Sequence, residues 1–281
     1  MRPRNKQRAV ELLGEGDSHI IGDLPSLKGI GLTTMFIGDG ANDIGALQAA
    51  SLGITLCEAE ASVAAPLTCK NNSIRSVIDL IAEGRCTLTV HHTIAYYIIC
   101  YAWIQVLSTN VAYVNSAMLM PNLFYLLQDL FVATVLATCM SCSNPCPKLS
   151  TTRPPVRLLR VEVVCVLVVQ MAIIAMCQLA ALSITRSMPG YTPFDPYGDG
   201  NVPLMPQQIP ETTTLFIICF SQLLITAVVF NLGSEYRQAM MSNPYLMAAM
   251  TILTTIYLLI LFLPHDNAFM GGFMQLAYDQ V

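Results

Sequence analysis

Five apolar runs constrain what this chain can fold into more than any other feature. Residues 94–114 carry no charge in 21 positions, and residues 117–140 carry one, Asp129. Residues 163–185, 212–234 and 245–263 carry none. Each run is long enough to cross a hydrocarbon core about 30 Å thick as a helix. Core helices of a large soluble protein can be as apolar, but five such runs in 281 residues point to a membrane bundle. Charged residues make up only 11% of the chain, against about 25% in soluble domains. Most of that charge precedes His91, so the chain divides into a polar head and an apolar body.

Charge in the connecting loops orients the bundle. With the head on the cytosolic side, the loop 141–162 is cytosolic too and holds Lys148, Arg153, Arg157 and Arg160. The next loop, 186–211, then lies outside with Asp195, Asp199 and Glu211 against Arg186 alone. That asymmetry is the positive-inside pattern, and an odd number of spans predicts an outer C-terminus. No charged-then-apolar leader opens the sequence, so the spans are expected to direct insertion. A net charge of −4 with no basic, aromatic-rich patch argues against a nucleic-acid partner. Of the ten cysteines, Cys100, Cys165, Cys177 and Cys219 lie in apolar segments, where Cys acts as a small hydrophobe, and no disulfide framework is read.

In the head, the apolar run Thr34-Met35-Phe36-Ile37 ends in Gly38-Asp39-Gly40-Ala41-Asn42-Asp43. Such a run followed by Gly-Asp-Gly reads as a buried strand stopping in a loop. Asp39 and Asp43, with Asn42 between them, offer hard oxygen ligands suited to Mg²⁺ beside a phosphoryl group. The same residues also make ordinary turns and helix N-caps, and spacing alone leaves the two readings level. A short helix is predicted up to Leu13, a loop over 14–33, a helix over 43–50 and a second strand over 52–56. Residues 73–86 read as an amphipathic helix through Ile74, Val77, Ile78 and Ile81. Alternating strand and helix predicts an α/β layer with the Asp loop at a strand's carboxyl end, where such sheets bind ligands.

Five short stretches give the chain a resemblance to the P-type ATPases, in particular to the B branch of their type-V group, the polyamine transporters. Gly38–Asp43 resembles the hinge motif of these pumps and the last acidic motif of the haloacid-dehalogenase superfamily. Met1-Arg2-Pro3-Arg4-Asn5-Lys6 resembles the family's M-x-P-x-x-K. Residues 58–66, Glu-Ala-Glu-Ala-Ser-Val-Ala-Ala-Pro, resemble a stretch particular to the B branch. Glu83-Gly84-Arg85 and Arg153-Pro154-Pro155 are similar to the segments before the fifth and after the sixth membrane helix. The fold this implies is a partial haloacid-dehalogenase-like α/β phosphorylation domain followed by an all-α transmembrane bundle. Its expected parts are the phosphorylation domain over 1–70, a stalk over 71–93 and the membrane domain over 94–281.

The resemblance also implies a mechanism: ATP phosphorylates an Asp in D-K-T-G-T, with Mg²⁺ and a lysine stabilising the phosphoryl charge. Lys6 would then neutralise phosphate oxygens, Asp39 with Asp43 would hold Mg²⁺, and Asn42 and Asp43 would orient the site. D-K-T-G-T is not in this sequence, so the expectation is the second half of a pump, inactive toward ATP alone and partnered by the missing N-terminal half. In the membrane, an acid at mid-span costs about 2.5–3.5 kcal/mol on the insertion scale, which marks Asp129 as a candidate carboxylate for a cationic amine. Tyr101 and Gln105 lie four residues apart on one helix face and are possible amine contacts or interhelical hydrogen bonds; Gln222 is a weaker candidate. Tyr96 stands where the family usually has a lysine and Asn122 where an acid commonly opens the sixth helix. The implied cargo is a polyamine or other organic cation; a metal-cation pump and a catalytically dead paralogue are the alternatives. The implied location is an endolysosomal or vacuolar membrane. The run Cys139 to Cys146 is poor as a zinc site because it lacks a second Cys pair or a His, and 195–201 lacks the closing Glu of a calcium loop.

Overall fold

Proline opens the first helix because its missing N–H lies where no intrahelical partner exists. In the computed structural model, Pro3 begins α1 (Pro3–Leu13), which ends as the Gly14 amide bonds the Val10 carbonyl at 2.9 Å. The structure describes residues 2–14, 30–56, 65–70, 73–116, 119–189, 191, 209–233 and 235–262. The greater part of the predicted 14–33 loop, most of the 58–66 stretch and the 195–201 loop lie outside these. The chain forms two compact units, Met1–Ile81 and Ala82–Val281.

The first unit is a small parallel sheet with helices. β1 (Met35–Gly38) pairs with β2 (Leu52–Thr55), and β2 pairs with β3 (Leu67–Thr68), in the order β1-β2-β3. The short two-residue β3 has no apolar run to announce it. Between β1 and β2, a 3₁₀ turn (Ala41–Asp43) leads into α2 (Ile44–Ala49). This crossover buries Ala46 and Leu47 in the same core as Ile54, which is wholly enclosed. Gly53 permits the packing, since a Cβ there would fall 2.5 Å from the Leu47 carbonyl oxygen.

The second unit contains all but the start of α3 (Arg75–Ser116), whose single run of 42 residues takes in both the predicted amphipathic helix and the first span. The second span begins at Asn122, after Pro121, rather than at 117. It consists of α4 (Asn122–Leu126), a π-helical stretch (Leu127–Ala133) and α5 (Thr134–Ser141). Then come α6 (Val161–Arg186), α7 (Pro210–Asn231) and α8 (Pro244–Phe262). Among the described residues, five helices are long and apolar enough to span a membrane.

Burial is uneven, and it identifies the hub. In α7, 56% of the apolar stretch is buried, against 17–33% in the other four helices. Phe216 of α7 stacks on Phe124 of α4 at 4.2 Å between ring centres, and Phe220 stacks on Tyr257 of α8 at 5.6 Å. Apolar faces left open on the other helices suit lipid, where packing rather than hydrophobic burial drives helix association.

The loops after α5 and α7 are joined in a short antiparallel bridge between Pro145 and Arg237. Gln238 N–H donates to Asn144 at 2.9 Å, and Cys146 N–H donates to Tyr236 at 3.3 Å. Arg237 is buried, donating to the Asn231 side chain and to the Phe230 carbonyl, both at 2.7 Å. Burial pushes its guanidinium below the ordinary arginine value.

Gly53→Ala is expected to destabilise the first unit by about 1–3 kcal/mol, because backbone rather than a movable side chain blocks the new methyl. Faster hydrogen exchange at the β1 amides, with α7 unchanged, is the measurement that checks it.

Candidate functional site

The first candidate site forms where β1 stops. Asp43, on the 3₁₀ turn, folds back beneath Gly38 and is nine-tenths buried. Its Oδ1 accepts from Lys6 Nζ at 2.6 Å, the one salt bridge among the described residues. A Cβ at Gly38 would sit 2.6 Å from Asp43 Cβ and 2.9 Å from Oδ2, so only glycine leaves room for this carboxylate. The Asp39 and Asn42 side chains are exposed on the same loop. Lys6 and Asp43, 37 residues apart, are thus brought together, while Asp39 and Asn42 face outward beside them. Among the described residues no cluster of three or more His, Cys, Asp or Glu is arranged as a metal cage, and this covers Cys139, Cys142 and Cys146. The donors on the loop suit an ion such as Mg²⁺, which takes one or two carboxylates and fills its remaining positions with phosphate oxygens and water.

The second site lies in the helical bundle and gathers Tyr101, Gln105 and Asp129, three of the membrane candidates singled out above. Asp129 Oδ1 accepts from Tyr101 Oη at 2.7 Å and from Gln105 Nε2 at 3.1 Å. Gln105 Nε2 also donates to Gln128 Oε1 at 3.0 Å. Gln128 is wholly buried and its own amide donates to the Phe216 carbonyl at 3.2 Å, tying the site to α7. Sequence reading passed over Gln128, although a glutamine beside the one acid of an apolar run was the available signal. Both Gln128 and Asp129 belong to the π-helical stretch, and Thr134 Oγ1 bonds the Asp129 carbonyl at 2.7 Å. Single π turns of this kind occur often at functional sites.

Two acceptors in this knot are left unfilled. Among the described residues Asp129 Oδ2 has no hydrogen-bond donor, since both neighbours bond Oδ1. Gln105 Oε1 is buried without a partner among them as well. Gln222 does not join the knot. It accepts from Gln178 Nε2 and donates to the Ile174 carbonyl, each at 3.0 Å, as an interhelical clamp. Tyr96 likewise has a structural partner, the Leu158 carbonyl at 2.8 Å.

No family model matches the chain. Curated proteins do. The vacuolar cation-transporting ATPase YPK9 of Saccharomyces cerevisiae is 33% identical over 251 residues, 89% of this chain and 17% of its own. The human polyamine-transporting ATPase 13A2 is 33% identical over 229 residues, 81% of this chain and 19% of its own. The probable cation-transporting ATPase catp-6 of Caenorhabditis elegans is 34% identical over 256 residues, 91% of this chain and 19% of its own. The chain is a homologue of part of the P-type cation-transporting ATPases. It spans about a fifth of the length of these relatives. Over the region it shares with them, the chain has a small parallel sheet with an acidic loop at the end of β1 and, among the described residues, five candidate membrane helices.

Gly38→Ala is expected to push Asp43 away from Lys6. Labelling of Lys6 by an amine-reactive ester should then rise several-fold while Lys70 and Lys148 react as before; an unchanged Lys6 rate would show the pair tolerates the methyl.

Proposed function

We propose that this chain supplies part of the phosphorylation domain and the cation path of an ATP-driven pump whose cargo is a polyamine or similar organic cation. The observation that carries this is the pair of unfilled acceptors, Asp129 Oδ2 and Gln105 Oε1, in one polar knot inside an apolar bundle. An ammonium group brings up to three N–H donors and a positive charge, which these acceptors lack. Tyr101 and Gln105 hold Asp129 by its other oxygen, so the carboxylate is oriented before a cation arrives. The name of the human relative, a polyamine-transporting ATPase, supports the same cargo. That of the yeast relative supports a vacuolar membrane.

On the phosphoryl side, Lys6 would neutralise phosphate oxygens, with Asp43 fixing the direction of its ammonium group. Asp39, exposed beside them, would hold Mg²⁺ with help from Asp43, and Asn42 would orient the loop. Bound there, Mg²⁺ supplies positive charge to the transferring phosphoryl group. The nucleophilic Asp and the ATP-binding domain would come from the remainder of the pump. β1 supports this, because among the described residues it pairs only with β2 and leaves its other edge free for a further strand. Leu13, Leu32, Met35 and Phe36 line an apolar crevice near that strand.

The chain contains one tryptophan, Trp103, two residues from both Tyr101 and Gln105, and its indole N–H donates to Met171 in α6 at 3.1 Å. In lipid nanodiscs its fluorescence is expected to change as spermine is added. Asp129→Asn should weaken that response by about 10- to 100-fold, the loss of one hydrogen bond to a charged group. An equal response from the variant, or a response to divalent metal ions in place of amines, would sink the polyamine assignment.

For the phosphoryl side, the chain is expected to support ATP-dependent phospho-enzyme formation only when joined to a segment carrying D-K-T-G-T. Lys6→Met should lower that phosphorylation rate by about 100-fold or more. A rate indifferent to Lys6 would remove it from the site.

A further inference from the structure

A second acid is buried in the bundle, far from the Asp129 knot. Glu211 lies in the first turn of α7, at the end the loop charges place outside the cytosol, and only 1% of its surface is exposed. Its Oε1 accepts from the Tyr191 hydroxyl. Its Oε2 is buried with no hydrogen-bond partner among the described residues. No cation completes it as an ion pair among the described residues, where the one salt bridge joins Lys6 and Asp43. Arg186, exposed at the end of α6, donates to Asn115 Oδ1 of α3 at 2.6 Å and also acts on the Tyr191 hydroxyl, so its charge reaches Glu211 only through Tyr191. Burial and the bond to Glu211 push the Tyr191 hydroxyl above its ordinary value, against the opposing pull of the Arg186 guanidinium.

A carboxylate taken out of water without a counter-charge is strongly destabilising. Helix N-termini favour negative charge, but only by about 0.3–1 kcal/mol at exposed positions, so the dipole alone does not account for so buried an acid. Its unused oxygen is an acceptor awaiting a donor, like Asp129 Oδ2 in the inner knot. The separation can be read along α3, where Gln105 bonds Asp129 and Asn115 bonds Arg186. Ten residues at 1.5 Å each place these two levels about 15 Å apart along the helix. One ammonium cannot reach both levels, whereas an extended linear amine with a charge at each end can.

We propose that Glu211 is a second ammonium-binding carboxylate, an outer station for a linear polyamine on the path from Asp129. This rests on the reading of Asp129 as the inner carboxylate and narrows the cargo to cations with at least two separated ammonium groups. Tyr191 positions the Glu211 carboxylate by occupying one oxygen, and Oε2 receives the ammonium.

The test titrates the chain in nanodiscs with spermine and, separately, with butylamine, which has a single ammonium, following Trp103 fluorescence. Glu211→Gln should weaken spermine about tenfold or more and leave butylamine unchanged. Tyr191→Phe, which keeps the carboxylate, should retain the preference for spermine. Equal spermine titrations of Glu211→Gln and the native chain would overturn the proposal and leave Glu211 as a structural tie between helix ends. An equal loss for both amines would also overturn it, as a general effect on folding. Asp129→Asn separates the two readings. If it leaves both titrations intact, the inner site falls and the outer station with it; if it abolishes both while Glu211→Gln does nothing, only the outer station is lost.

Discussion

One carboxylate in an apolar bundle sets the terms for the second unit. In hydrocarbon, a polar group unmet by a partner costs several kcal/mol, so Asp129 is tolerable only if α3 brings donors to it. Tyr101 and Gln105 do so from one face of that helix. Gln128 passes the connection on to the Phe216 carbonyl, in the most buried of the five spans. The aromatic stack of Phe124 on Phe216 seals the same junction with apolar surface. The polar knot joins α3, the π-helical stretch and α7, and the apolar stack ties α4 of the same second span to α7.

The π-helical stretch explains how two consecutive side chains serve one neighbour. On an α-helix, adjacent residues point about 100° apart, yet Gln128 and Asp129 both meet Gln105 Nε2, at 3.0 and 3.1 Å. Leu127–Ala133 departs from the α-helical ladder where this is required, and Thr134 returns a hydrogen bond to the Asp129 carbonyl. The first unit solves a similar problem with a glycine. Asp43 reaches Lys6 only because Gly38 has no side chain in its way. In each unit, a backbone exception beside a carboxylate decides where its charge is presented.

Much of this was legible in the chain. Uncharged runs announced the spans, because a helix crossing lipid has few other options for its composition. Strand β1 and the acidic loop followed from an apolar run and Gly-Asp-Gly, and α1 was read by its end at Leu13 but not by its start at Pro3. Tyr101, Gln105 and Asp129 were singled out by i, i+4 spacing and by the rarity of an acid in a span. Gln128, the start of the second span at Asn122 and the π-helical stretch were not read. A glutamine alone in an apolar run is ambiguous, and a π turn has no composition of its own. Glu211 looked like a loop acid, because the sequence shows that it precedes an apolar run but not that the bundle encloses it.

The sequence by itself determined the apolar spans, the basic character of the 141–162 loop through Lys148, Arg153, Arg157 and Arg160, and the chemical types on offer at each site. These follow from local composition and period, which need no partner to be expressed. Tertiary structure decided which groups meet. It paired Lys6 with Asp43 across 37 residues, gave Asp129 to Tyr101 and Gln105, and diverted Gln222 into a clamp with Gln178. It also left Asp129 Oδ2, Gln105 Oε1 and Glu211 Oε2 without donors among the described residues. The reason is that hydrogen-bond satisfaction depends on residues distant in the chain, and only packing brings those distances down to 3 Å.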